Sequence, residues 1–440
     1  MKAGESVKAM VQAKARGKDS VKETGKTVTE KIVEKASGKE AKAGDFVRFK
    51  LGNVLLGGLQ AREFEEMGVM KVFDPDRVKI VVAGHSGVAD NLRSRYSTMR
   101  LAKKLGVPRA NIIDLGSGGV EHQVSIEHGW ALPGTIFMCG TDGQTPIHGS
   151  MGCVAEPLAH GLDENTTALI TGKSWIHVPP SMRFNLHGSL QDGVNARDVS
   201  EWILGKIGPS GCMAAMMELT GALVEDLSVD ERVTLCCNAA FTGAFSCIVN
   251  PDKKTVDYVK SRTKEPFEPL TSDRDAKYVK TFDFDFSSID PQIAVPPKRH
   301  TIRPVKEVAG RKIDRGYIGA CADGRIEDMR LAARILKGSK INGDVQLNVT
   351  PATTEVLKMA MKEGLIDIFI DAGAVVASPC CGMCIGGVTP LVGDEVCLST
   401  STCNYPSRMG SADAQIYLCN PATVAASAVA GKIVDPREYL

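Results

Sequence analysis

An excess of charge of one sign is missing from this 440-residue sequence. It has 53 basic and 52 acidic residues, a net charge of +1. That balance gives no overall field to attract nucleic acid or an anionic membrane. No stretch approaches the ~20 continuous apolar residues that span a bilayer. No apolar run follows the first positive charges, so a secretory signal is not expected and a cytoplasmic location is. Phosphate-cradling loops of the G-x-x-x-x-G-K-[ST] and G-x-G-x-x-G types are absent, as are internal repeats. Aromatics are scarce at 5%, whereas glycine is plentiful at 44 residues. That combination suits an α/β enzyme with tight strand-to-helix turns. The 43% hydrophobic and 24% charged fractions are those of an ordinary globular protein. At roughly 150 residues per domain the length predicts about three domains.

What is abundant is cysteine, with 13 residues. In a reducing compartment clustered cysteines are metal ligands or reactive thiols rather than disulfides, and the odd total agrees. Residues 1–50 carry 11 Lys and 2 Arg against 7 acidic residues. Residues 1–22 read as a basic, flexible extension. Short apolar runs then alternate with helical patterns. Strands are expected at Val78–Ala83, Ile112–Leu115, Thr135–Met138, Tyr317–Ala320, Val345–Val349 and Leu365–Ile370. Helices are expected at Leu92–Leu105, Asn195–Ile207, Arg325–Leu336 and Thr354–Glu363, the last capped by Thr350-Pro351. The proline-rich stretch 264–304 reads as an extended connection. The alternation predicts parallel sheets faced by helices, with ligand sites at the strand carboxyl ends. The expected domains are 23–193, 194–296 and 297–440.

Two segments carry the chemistry: Ile318-Gly-Ala-Cys321-Ala-Asp-Gly-Arg325 and Ser378-Pro-Cys380-Cys381-Gly-Met-Cys384-Ile-Gly-Gly387. Cys321 stands where a strand turns into a helix, and a helix N-terminus favours its thiolate. Cys381 and Cys384 form a C-x-x-C among glycines that let the backbone approach a bound group. Such a set can hold an iron–sulfur cluster or zinc, with Cys380 or Cys403 as a fourth ligand, or act as a redox pair. Spacing alone does not choose. Cys139, Cys153, Cys212, Cys247 and Cys419 fit buried small hydrophobes instead.

These segments resemble the cluster-binding motifs of the aconitase superfamily, closest to isopropylmalate dehydratase large subunits and homoaconitases. Further motifs follow in the same order: Thr27–Val33, Phe73–Arg77, Glu121–Val124, Ala131–Gly134, Gly140–Asp142, Arg325–Asp328 and Ser407–Ser411. The resemblance implies three α/β/α domains around a [4Fe-4S] cluster held by Cys321, Cys381 and Cys384. It implies a hydro-lyase acting on a small 2-hydroxy carboxylic acid, with the open iron as a Lewis acid. His85, His122 and Asp142 are the implied catalytic residues; Arg408, Gln144 and Asn404 are the implied substrate-binding ones. The family's proton-abstracting serine sits on a swivelling domain, here implied to be a separate small subunit. His128 and His148 have no motif context and read as surface or packing residues.

Several chemical positions depart from the family pattern. Gly84 replaces the carboxylate beside His85. Gly143 and Gln144 replace a serine and a histidine. Cys237 replaces an asparagine, Phe241 a glutamate and Cys403 an arginine. One reading is a hydro-lyase for a less highly charged substrate. The other is a cluster-bearing scaffold or sensor that has lost the dehydration chemistry. Neighbouring Cys380 and Cys381 side chains diverge on an extended backbone, so an open iron is expected.

Overall fold

A computed structural model describes residues 25–57, 64–82, 88–114, 116–139, 143–157 and 162–440. The basic extension at 1–22, His85 and Asp142 lie outside the described residues.

The chain builds three α/β units. The first contains β1 (Phe46–Lys50), β2 (Val54–Gly57), β3 (Val78–Val81), β4 (Ile112–Ile113), β5 (Ile136–Cys139), β6 (Val154–Pro157) and β7 (Lys173–His177). Strands β2–β6 form a parallel sheet in the order β4-β3-β2-β5-β6, and β1 and β7 pair as an antiparallel ribbon. Strands β2, β3 and β5 are buried along their whole length, and apart from Lys79 in β3 their side chains are apolar. Helices α1 (Val28–Ser37), α2 (Val88–Leu105), α3 (Glu121–Glu127) and α4 (Leu162–Thr171) belong to this unit. A capping box between Thr27 and Glu30 starts α1.

The second unit holds β8 (Ser181–His187), β9 (Met216–Thr220), β10 (Ser246–Val249) and β11 (Lys280–Asp285), all parallel, in the order β10-β9-β8-β11. Its helices are α5 (Ala196–Ile207), α6 (Ala222–Asp226), α7 (Val229–Cys237) and α8 (Lys253–Arg262). Asn195 caps α5 and Asp198 completes its capping box.

The third unit holds β12 (Gln292–Ala294), β13 (Ile302–Pro304), β14 (Arg315–Ile318), β15 (Gln346–Val349), β16 (Val375–Val376), β17 (Val396–Ser399) and β18 (Gln415–Cys419). Their order is β13-β12-β18-β17-β14-β15-β16, with β12 alone antiparallel to its neighbours β13 and β18. Its helices are α9 (Ala320–Asp323), α10 (Ile326–Leu336), α11 (Thr354–Lys362), α12 (Leu365–Ala372) and α13 (Pro421–Ala430).

Four expectations change. Leu365–Ile370 is not a strand but the start of α12, bracketed by Gly364 and Gly373 in left-handed conformation. Its buried residues are Leu365, Phe369 and Ala372, a helical spacing that a short apolar run hides. The cap of α11 is Thr353, whose hydroxyl accepts from the Val356 N–H, not Thr350. Ser181–His187 pairs with β9, so the second sheet starts before residue 194. Within 264–304, β11 and β12 are sheet strands rather than mere connection, and Ile293 pairs with Cys419 in the third sheet. Among the described residues no helix is long and apolar enough to cross a membrane.

Candidate metal centre and active site

In the third sheet β14 leads to β15 on one side, while β17 lies on the other. The carboxyl ends of β14 and β17 therefore flank a topological switch point, where open α/β sheets place ligands. Cys321 follows β14 through Gly319 and Ala320. The loop after β17 carries Cys403 and Asn404, and the loop after β16 carries Cys380, Cys381 and Cys384.

Backbone geometry shapes this edge. Ala320 adopts φ 67°, rare for a residue with a side chain, and aims the turn that presents Cys321. A Cβ on Gly319 would lie 2.6 Å from the Tyr317 hydroxyl. That hydroxyl donates to the Cys381 carbonyl at 2.9 Å, joining the two cysteine segments. The Cys384 N–H donates to the same carbonyl at 3.2 Å, closing the turn that sets the C-x-x-C spacing. Cys321 and Cys384 are buried, Cys381 is half-buried, and Cys321 and Cys381 pack in one cluster. All 13 cysteines are thiols.

Arg408 donates from Nε to the Cys384 carbonyl at 2.9 Å and from Nη2 to its Sγ at 3.6 Å, while Nη1 reaches the Tyr405 hydroxyl at 3.1 Å. Burial opposes the Arg408 charge, but Cys384, Cys403 and Tyr405 more than offset it and its pKa is raised. Asn404 is 2% exposed, and neither polar atom of its amide has a hydrogen-bond partner. Burial pushes the thiols of Cys380 and Cys403 up.

The thiols do not fit a single ion. A zinc–thiolate bond is ~2.3 Å, so ligands of one ion crowd within roughly twice that distance. Among the described residues no three His, Cys, Asp or Glu side chains come together that way. A cluster, which spreads its thiolates over several irons, fits the convergent cysteines, the glycine-lined turns and the orphaned Asn404 amide.

His122 is buried in the first turn of α3, its ring 5.7 Å from that of His148. His148 is a packing residue, hydrogen-bonded to Ser125 Oγ at 2.7 Å and to the Thr145 carbonyl at 2.9 Å. Burial, then His122, lowers its pKa to about 3. Gln144 is buried and accepts from the Cys237 thiol at 3.1 Å, so two departing positions touch each other.

Local patterning did not reveal Arg197, which is wholly buried. It donates to Glu201 at 2.6 Å, Asp323 at 2.7 Å and the Thr400 and Ser401 carbonyls at 3.0 and 2.7 Å. It thus ties α5 to both loops of the cysteine edge. Its i,i+4 pairing with Glu201 is the one trace in the sequence. Arg299 extends the network through Glu201, Asn238 and the Thr402 carbonyl, with its guanidinium 4.9 Å from the Phe241 ring centroid.

Residues 76–431 match the model of the aconitase family (aconitate hydratase). The chain is 38% identical over 424 residues to 3-isopropylmalate dehydratase large subunit 1 of Methanopyrus kandleri, covering 94% of this chain and 100% of that protein. It is 39% identical over 423 residues to the 3-isopropylmalate dehydratase large subunit of Desulfitobacterium hafniense, covering 94% and 99%. This chain belongs to the aconitase family. The crystal structure of Thermococcus kodakaraensis aconitase X in its holo form matches at TM-score 0.44 and 13% identity, over 81% of this chain and 84% of that one. Compared with the motifs expected of an aconitase-family chain, the changes are local and linked. Gln144 meets Cys237, Phe241 covers Arg299, and Cys403 lies in the charge environment of Arg408 and Arg299.

Proposed function

We propose that this chain is the large subunit of an iron–sulfur hydro-lyase for a small 2-hydroxy carboxylic acid, completed by a separate small swivelling subunit. It is an enzyme of the aconitase and isopropylmalate dehydratase type. What supports the reading is that Cys321 and Cys381 pack in one cluster, that the Tyr317 hydroxyl and the Cys384 N–H both donate to the Cys381 carbonyl, and that the neighbouring loop carries an orphaned, buried Asn404 amide. A [4Fe-4S] cluster held by those three cysteines supplies a Lewis acid for a leaving hydroxyl.

The chain's own residues supply the rest. Tyr317 fixes the Cys381 loop, and Arg408 neutralises charge at Cys384 while leaving its outer face toward Tyr405. Asn404 offers an NH2 group to substrate or to a cluster sulfur and a carbonyl oxygen to a substrate donor. His122 and Gln144 stand as proton carrier and hydroxyl-orienting amide, with His85 and Asp142 completing the set. The substrate proton goes to a base on the small subunit. Phe241 and Cys403 lower the charge of the pocket, favouring a substrate with fewer carboxylates than citrate.

Two observations favour the scaffold alternative: the Arg408 fork is turned onto Cys384, and the Gln144 carbonyl accepts from the Cys237 thiol. Anaerobic purification is expected to give a brown protein with about four irons and four sulfides per chain. Ferricyanide should then remove one iron and give a [3Fe-4S] paramagnetic signal. A wild type that resists, while Cys403→Ala or Cys380→Ala gives that signal, has a closed cluster and refutes the open-iron mechanism. Turnover of any 2-hydroxy mono-, di- or tricarboxylate by the complex with the small subunit excludes the scaffold reading.

A further inference from the structure

The guanidinium of Arg408 is spent on a cysteine rather than held open for a substrate. A side-on clamp uses the Nε and Nη2 edge, where two parallel N–H groups match a carboxylate. Here Nε donates to the Cys384 carbonyl at 2.9 Å and Nη2 to the Cys384 Sγ at 3.6 Å, so one residue fills that edge. Nη1 is turned to the Tyr405 hydroxyl at 3.1 Å. Among the described residues no carboxylate pairs with Arg408.

The backbone holds the fork in that place. Ser407, just before it, adopts φ 67°, a left-handed conformation that is rare with a side chain. The Arg408 N–H closes a turn on the Tyr405 carbonyl at 3.2 Å. The Leu391 N–H donates to the Met409 carbonyl at 2.8 Å, and the Ser411 N–H donates to the Leu391 carbonyl at 2.9 Å. A Cβ on Gly386 would stand 3.2 Å from the Gly410 nitrogen, so the two loops touch there as well. The loops of Cys384 and Arg408 are thus tied by backbone as well as by the guanidinium.

A cation that donates to a ligand sulfur stabilises the more negative state of a bound cluster, and that is the reduced state. We propose that Arg408 is a positioning residue that acts on the cluster through Cys384, raising its reduction potential, and is not a substrate clamp. This rests on the reading of a [4Fe-4S] cluster at Cys321, Cys381 and Cys384. The consequence is protection of the open iron. In oxidative loss, [4Fe-4S]2+ gives one electron to ferricyanide, which becomes ferrocyanide, and the resulting [4Fe-4S]3+ releases Fe2+ to leave [3Fe-4S]+. A cation at Cys384 disfavours the first of these steps.

The test is a potentiometric titration of the reconstituted full chain, followed by electron paramagnetic resonance of the reduced cluster. Arg408→Met should hold the added electron about tenfold less tightly, a fall of ~59 mV for one electron. It should also form the [3Fe-4S] signal with ferricyanide faster than the wild type. Arg408→Lys keeps the charge without the fork; its potential should fall between the two, and it carries the test if Arg408→Met fails to load iron. Equal potentials in the wild type and the loaded variants, or an unchanged potential with a raised KM for a 2-hydroxy acid, would overturn the proposal. A wild type that resists ferricyanide overturns the open-iron reading instead, and the difference in potential still decides the role of Arg408. A wild type that takes up no cluster overturns both.

Discussion

Replacing Arg197 by Met keeps the stem and removes a buried guanidinium that makes four hydrogen bonds. Glu201 keeps Arg299 as partner, at 2.7 Å. Asp323 loses the Arg197 contact at 2.7 Å, and two buried carbonyls lose their donor. Removing one partner of a buried pair costs ~3–5 kcal/mol. An orphaned buried acceptor adds ~1–3 kcal/mol. Because Asp323 can take up a proton, we expect a net loss of about 4–6 kcal/mol, a large share of the ~5–15 kcal/mol that holds a domain together. Urea unfolding followed by circular dichroism measures it, with Arg330→Met as the control. Arg330 forms a half-exposed pair with Glu363, and its loss should cost at most about 1 kcal/mol. Adding Asp323→Asn to Arg197→Met should restore part of the stability, because the unpaired charge goes with it. Since Asp323 is on the turn of Cys321, and Thr400 and Ser401 lead to Cys403, the single variant should also retain less iron. A loss below about 1 kcal/mol, or strict additivity of the two substitutions, would refute the account of Asp323 as a charge held by Arg197.

Three further outcomes follow from particular positions. Phe369→Ala, wholly buried on α12, should cost ~3–5 kcal/mol, whereas Ile370→Asp, 57% exposed, should stay within about 0.5 kcal/mol; equal effects in thermal unfolding would contradict the helix. Gly382→Ala places a Cβ at φ 57°, 3.1 Å from Thr350 Oγ1 and 3.2 Å from the Tyr317 hydroxyl, and should cost ~1–2 kcal/mol and lower the iron-to-chain ratio after reconstitution. His148 takes a proton near 6.5 when unfolded but only near 3 when folded, so its stability contribution is whole above pH 6.5 and falls below it by about 1.4 kcal/mol per pH unit; His148→Gln should flatten the melting profile between pH 6.5 and 5, and an unchanged slope would count against this.

The parts visible in the sequence were those set by local patterns. Val78–Val81 and Ile136–Cys139 are short apolar runs that a parallel sheet buries on both faces, and Asn195 signals α5 by its own chemistry. Cys321, Cys381 and Cys384 stand out by residue type and spacing, and the fold joins their two segments through the Tyr317 hydroxyl. Leu365–Ile370 misled because a six-residue run with five apolar residues carries too little phase to separate a helix from a strand. Thr350-Pro351 looked like a cap, yet Thr353 lies closer to the first turn and wins it. The contacts of Arg197 with Asp323, Thr400 and Ser401 bridge distant parts of the chain, so no window of sequence contains them. The orphaned Asn404 amide and the Gln144–Cys237 contact are likewise products of packing between units.

Strand β12 has a consequence for how the protein is made. Residues Gln292–Ala294 leave the ribosome well before their partner β18, the last strand of the chain. Until Gln415–Cys419 emerges, β17 has an unpaired edge and β12 can pair only with β13, apart from the rest of the sheet. The three cysteines of the switch point are synthesised within that interval, on a sheet that is still open. Closing a contact between such distant segments is slow. A nascent chain stalled before residue 415 would therefore expose both a bare strand edge and the thiols, which ties protection of the thiols to the arrival of β18.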